Sequence, residues 1–198
     1  MINMFDLETL GTDTETAPIL SCAAITVDET RFVSDTPYTF IELVGLCSEI
    51  KLNVREQIEV YGRKIDKATF DWWSRQSAES KTILVPHISD RPIAELVPWM
   101  VDNFTTGSRV YTRGNSFDPP LISSVCKMLK IVEPYKFWDI RDTRTFLDAV
   151  VLQVGNGDFD CSFVPKELEK EFIKHDAVHD IAMDIYRIQF IIRLAQGK

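Results

Sequence analysis

Met4-Phe5-Asp6-Leu7-Glu8-Thr9 is the stretch that most restricts the fold. An apolar run leads straight into two carboxylates separated by one residue, and on a strand that spacing points both to the same face. Acids at the edge of a buried strand lose solvation, which is costly unless a cation compensates. The bland alternative is a pair of solvated acids at a strand end, and D-x-E alone favours it. Two distant stretches bear on the choice. Asn115-Ser116-Phe117-Asp118 ends in a third acid. Lys174-His175-Asp176-Ala177-Val178-His179-Asp180 ends in a fourth, with a histidine five residues before it. A fold that joins the three segments brings four acids and one histidine together.

The chain supplies elements for such a fold. Residues 1–7 and 18–27 read as strands, the second small and β-branched and bounded by turn residues. Residues 36–44 alternate and read as a third strand, which gives an antiparallel meander at the start. Residues 45–64 show no periodicity and read as connection. A helix begins at Asp66, a second near Ser77, and another covers about 90–104 on Ile93, Leu96, Val97, Trp99 and Met100, with a kink or break at Pro98. Residues 109–112 read as a strand and 114–118 as a turn. Pro119 and Pro120 sit in the first turn of a helix that continues to Leu129. Residues 135–140 read as a fifth strand, Asp142 caps a helix over about 143–153, and 154–166 read as a loop. The last helix starts near Asp176 and runs to about Ala195. Strands followed by alternating helices and strands predict one α/β domain over 1–198, with a mixed five-stranded sheet flanked by helices.

Composition narrows the classes. With 45% hydrophobic and 26% charged residues, the chain can bury a sizeable core. No long uncharged apolar window predicts a membrane span, and no basic-then-apolar start predicts a secretory signal. Cys22, Cys47, Cys126 and Cys161 are scattered without zinc spacing, which reads as buried free thiols in a reducing cytoplasm. A net charge of −8 argues against a broad basic face for duplex DNA, but not against a cleft that holds a few nucleotides.

Each acid also has an ordinary reading. Asp118 stands where a helix N-cap is common. Asp180 and Asp184 lie one helical turn apart, as do His175 and His179. A histidine and an acid five apart converge only if the histidine precedes the helix, and a cap at Asp176 puts His175 there. His179, beside a candidate metal ligand, reads as packed or as a partner that supports that ligand. Together, the acids offer the hard oxygen ligands that suit Mg²⁺ or Mn²⁺, and a neutral histidine can take a proton from water near pH 7. Two such ions can activate water and stabilise a leaving oxygen at a phosphodiester. A zinc hydrolase needs richer His or Cys ligation than this chain offers.

Asp6-x-Glu8-Thr9, Asp118 and His175-x₄-Asp180 resemble the DEDDh 3′→5′ exonuclease pattern, which sits on a ribonuclease H-like fold. The stretches 69–77, 113–118, 137–144 and 175–180 are similar to the branch that holds the exonuclease A of T-even phages and a small bacterial exoribonuclease with adenylate preference. The resemblance implies two divalent cations: Asp6, Glu8 and Asp180 at the one that activates water, Asp6 bridging to the second, and Asp118 supporting it through water. It implies His175 as general base, and Thr9 and Leu10 at the terminal nucleotide. It implies a DNA or RNA 3′ end as substrate, with DNA favoured, and a homodimer as an option. It also implies a cytoplasmic site of action, host cytoplasm for a phage protein. Phe117 joins Trp72 and Gln76 as substrate contacts: rings can stack on bases and an amide can read a base edge. One of Trp72 and Trp73 is expected in the core and the other at the cleft, with Gln76 beside Trp72. Arg141 and Arg144 could meet phosphate or pair with Asp139 and Asp142. A non-catalytic nucleic-acid-binding module is the rival class.

Overall fold

The computed structural model describes residues 1–154 and 160–197. Its strands are β1 (Ile2–Thr9), β2 (Ile19–Val27), β3 (Ser48–Lys51), β4 (Arg109–Thr112) and β5 (Ile140–Asp142). Its helices are α1 (Phe40–Leu46), α2 (Val54–Glu59), α3 (Lys67–Ser74), α4 (Leu96–Asn103), α5 (Asp118–Leu129), α6 (Thr143–Val154) and α7 (Ala177–Ala195). The strands form one mixed sheet in the order β3-β2-β1-β4-β5. β1 lies in the middle, antiparallel to β2 and parallel to β4.

The alternation of side chains along β1 builds two cores, one on each face of the sheet. Ile2 and Met4 join a cluster that includes Ile181, Ile185 and Ile188 of α7. Phe5 and Leu7 join the opposite cluster, with Leu96 and Met100 of α4 and Leu121 and Val125 of α5. Asp6 and Glu8 continue the row of Ile2 and Met4, so they face the side that α7 covers. The strand that the apolar lead-in predicts is therefore a central one, and its polar end runs under the start of the last helix.

Several expected elements differ. Residues 36–44 do not pair as a strand. Thr39 caps α1 by accepting the Glu42 N–H, and Phe40 and Leu43, three apart, turn to the core together. The third strand is β3, inside the stretch that shows no periodicity; only Ile50 of its four residues is buried. The antiparallel start is kept, through β3 on β2. The fifth strand is Ile140–Asp142, because Phe137–Asp139 forms a 3₁₀ turn with Phe137 and Trp138 exposed.

Near Ser77 the structure has a 3₁₀ turn, Ser80–Leu84, in place of a helix. The stretch 90–104 divides into a 3₁₀ turn at Ile93–Glu95 and α4. Pro98 falls in the first turn of α4, where its missing N–H has no helical partner to lose. Asp142 caps α6 through the Thr145 N–H, and Asp176 caps α7 through the His179 N–H. Of the expected loop at 154–166, residues 155–159 lie outside the described residues. Among the described residues no helix is long and apolar enough to cross a membrane, and the four cysteines are free, Cys22 and Cys126 buried but Cys47 and Cys161 only partly so.

Candidate active site

Parallel pairing of β1 with β4 sends both strands toward the same edge of the sheet. β4 ends in a turn closed by the Phe117 N–H on the Gly114 carbonyl, and α5 begins directly after it with Asp118. Gly114 has φ 119°, open to glycine, and a Cβ there would stand 3.2 Å from Arg144 Nη1. Asp118 is not the N-cap; it is the first helical residue, and its carboxyl is buried. α7 starts above β1 and brings in Asp180 within its first turn. Thus three elements converge on one cleft floor.

Glu8, His175 and Asp180 present ligand atoms that all lie within 4.8 Å of one another, a group able to hold a metal ion. The carboxylates disturb each other. Burial first, then the charges of Asp118, Glu8 and Asp180, hold Asp6 well above the usual carboxylate range. Burial, then Asp180 and Asp118, do the same to Glu8. Burial raises Asp118 to about 8, against the opposing charge of Arg144. Burial and then the charge of Asp184 raise Asp180 to about 7. Four acids that each resist ionisation form a hole for positive charge, and their hard oxygens suit a divalent cation.

His175 precedes α7, as the cap at Asp176 requires, and is half-buried with φ 62°. Its backbone N–H donates to Asp180 Oδ2 at 3.1 Å. Its ring meets Trp72 edge-on, with centroids 4.6 Å apart. Burial and then Lys174 push its imidazole below the ordinary value. His179 is packed: it lies edge-on to Phe40, and its Nδ1 accepts the Ile173 N–H.

On one side of the acids, a cleft of about 480 Å³ is lined by Glu8, Thr9, Thr69, Trp72 and Phe117. Trp73 is the core ring of the pair and is buried, while Trp72 is half-buried and faces this cleft. The Thr9 hydroxyl donates to the Gly11 carbonyl at 2.8 Å, leaving its lone pairs to accept. Leu10 does not line the cleft. It is buried with Leu20 and Trp73, where the apolar surface expected to meet a base is already covered. Gln76 turns its amide back onto the Trp72 carbonyl at 3.0 Å.

On the other side, about 400 Å³ opens between Asp6, Arg113, Arg144, Phe172 and Lys174. Here the structure adds a group that sequence reasoning misses. Asp184 Oδ1 accepts from Arg113 at 2.7 Å and from Arg187 at 2.6 Å. Arg113 also donates to the Ser162 hydroxyl, and Arg187 to the carbonyls of Ser162 and Phe163, so the pair ties this loop to α7. Only the turn spacing of Asp180 and Asp184 hints at it. Arg141 donates to the carbonyls of Trp138 and Ile140.

Residues 2–191 match the family model of the 3′-5′ exoribonuclease Rv2179c-like domain. The chain is 29% identical to the exodeoxyribonuclease of Enterobacteria phage T4 over 213 residues, which cover 98% of this chain and 90% of the relative. Escherichia coli exonuclease I with a dA16 oligonucleotide superposes with a TM-score of 0.59 at 14% identity, over 99% of this chain and 40% of that one. Its zinc-bound form with single-stranded DNA gives 0.57 at 14% identity, over 99% and 40%. This chain spans about 40% of the length of exonuclease I, and the likeness there is one of fold. Fold and relatives together define a DEDD-type 3′-5′ exonuclease on a ribonuclease H-like fold. The chain belongs to the Rv2179c-like 3′-5′ exoribonuclease domain family.

Proposed function

We propose that this exonuclease hydrolyses DNA from its 3′ end, releasing nucleoside 5′-monophosphates, with two Mg²⁺ or Mn²⁺ ions and His175 as general base. The observation that carries the reading is the cluster of carboxylates around one imidazole, with more negative charge than the flanking arginines offset. Asp6, Glu8, Asp118 and Asp180 would hold the ions. Bound there, divalent cations lower the pKa of water and stabilise charge on the phosphate and the leaving oxygen.

The chain's own groups do the rest. Burial keeps His175 neutral near pH 7, the form that accepts a proton. His175 takes that proton from water as the water oxygen bonds to phosphorus. The bond from phosphorus to the 3′ oxygen of the preceding nucleotide breaks, and that oxygen takes a proton from solvent. Trp72 and Phe117 offer the terminal base two aromatic surfaces on the cleft wall. Thr9 can accept a hydrogen bond from the terminal 3′ hydroxyl. The similarity to the T4 exodeoxyribonuclease over 98% of this chain favours DNA; the family description favours RNA.

Digestion of 5′-labelled single-stranded DNA, RNA and a duplex with a 3′ overhang tests the reading, with Mg²⁺, Mn²⁺ or chelator present. A metal-dependent ladder shrinking from the 3′ end, lost in Asp6→Ala and His175→Ala, is the expected result. Products from every strand with chelator present, or full activity in either variant, refute the mechanism.

A further inference from the structure

We infer that Ser80 is a positioning residue for His175; the inference rests on His175 being the general base. His175 has φ 62°. Residues other than glycine seldom hold that conformation unaided, because Cβ crowds the following carbonyl. Something outside the residue must fix it.

The peptide that joins Lys174 to His175 is gripped at both ends. Its N–H donates to Asp180 Oδ2 at 3.1 Å, and its carbonyl accepts the Ser80 hydroxyl at 2.7 Å across 94 residues of chain. Asp180 has a second task among the acids. Ser80 does not: it is buried at the start of the 3₁₀ turn Ser80–Leu84. Its own hydroxyl is fixed in turn. With the Ser80 proton committed to Lys174, the Ser77 hydroxyl 2.9 Å away donates to Ser80 Oγ, while the Ser80 N–H donates back to Ser77 Oγ. A chain of hydroxyls polarised in one direction strengthens its last bond.

Without the Ser80 hydroxyl only the N–H end of the peptide is held, and His175 relaxes toward the right-handed region. The imidazole then leaves its place beside Glu8 and Asp180, whereas the four carboxylates keep theirs. With the four carboxylates and not His175 holding the ions, as proposed above, Ser80 acts on the proton-transfer step, and neither on cation binding nor on strand binding. A cavity of about 190 Å³ borders Ser80, Glu8 and His175. It leaves room for one added methyl, so Ser80→Thr keeps the hydroxyl without crowding.

The test is steady-state cleavage of a labelled oligonucleotide by wild type, Ser80→Ala, Ser80→Thr, His175→Ala and the Ser80→Ala/His175→Ala double variant, with Mn²⁺ binding measured on each. Ser80→Ala is expected to lower kcat roughly ten- to a hundredfold, with KM and Mn²⁺ affinity kept within about twofold. Ser80→Thr restores most of kcat, and Ser80→Ala adds no loss on the His175→Ala background. An unchanged kcat in Ser80→Ala overturns the inference. So does an equal further loss in the double variant, or a matching loss of Mn²⁺ affinity, since either shows a merely structural role. Wild-type activity in His175→Ala instead sinks the general-base reading beneath it, and the two failures are told apart by that single variant.

Discussion

The Trp73 indole N–H donates to the Thr9 carbonyl at 2.9 Å, fastening α3 to the last residue of the strand that carries Asp6 and Glu8. Trp73 is buried against Leu10 and Leu20, so this one side chain sets the distance between the cleft wall and its floor. Trp73→Ala is expected to destabilise the fold by about 3–5 kcal/mol through the cavity it leaves. Trp73→Phe keeps most of the ring, loses the hydrogen bond, and costs about 1 kcal/mol. Urea denaturation measures both; a Trp73→Phe variant as stable as wild type would show that the indole N–H is idle.

Asp184 is nearly buried between two guanidinium groups, with side-chain exposures of 3% for Asp184, 6% for Arg187 and 19% for Arg113. Removing one partner of such a group leaves the others charged and unpaired, which costs about 3–5 kcal/mol. Asp184→Ala is therefore expected to be less stable by that amount, and to expose the loop at 160–164 to protease before the rest of the chain. A neutral result in denaturation and in timed proteolysis would show that water replaces the carboxylate.

The raised acids make a prediction about pH. In the folded chain burial lifts Asp118 to about 8 and Asp180 to about 7, while unfolded aspartate titrates near ~3.9. The folded state thus binds these protons more tightly. The stability they contribute is full below about pH 4 and is lost as pH rises through 7 to 8. Metal-free protein should melt at a temperature on the order of 5 °C lower at pH 8 than at pH 5. Mn²⁺ at pH 8 should recover the difference, and Asp118→Asn should flatten the slope while abolishing cleavage. Thermal melts without metal that rise across this window would contradict the picture.

Arg144 stands at the cleft rim beside Asp6, exposed, and outside the ion pairs that hold Arg113 and Arg187. An exposed cation placed there, which in the resting protein offsets the charge of Asp118 and Asp142, is expected to meet the strand's backbone phosphate. Arg144→Ala should raise KM for an oligonucleotide about five- to tenfold at low salt and reduce the salt dependence of binding by about one charge. A KM that stays put at every salt concentration would return Arg144 to a structural role.

Where an element carries its own boundary marks, the sequence was enough to read it. α7 has Asp176 as cap and Ile181, Ile185 and Ile188 on one stripe, and β1 has its apolar run. β3 is an edge strand of four residues with one buried side chain, too short to show a period. The aromatic run at 135–138 imitates a strand, yet Phe137 is 77% exposed and Trp138 59% exposed. Glu8 near the end of β1, and Asp118 and Asp180 in the first turns of α5 and α7, stand close to element boundaries that the sequence marks; Asp6 is read from its spacing to Glu8. Asp184 with Arg113, and Ser80 with Lys174, are contacts across 71 and 94 residues that only the chain's path brings about. Leu10 follows the site motif but belongs to the core, because the strand bulges between Glu8 and Thr9 and the chain turns inward there.

Asp6 comes from the first strand and Asp180 from the last helix, and the sheet cannot close over β1 until residues 109–112 arrive beside it. On the proposed reading, a nascent chain leaving the ribosome therefore carries no cutting centre until its final helix has emerged and docked. On that reading the chain cannot cut a strand during its synthesis, nor can a fragment that lacks β1 or α7.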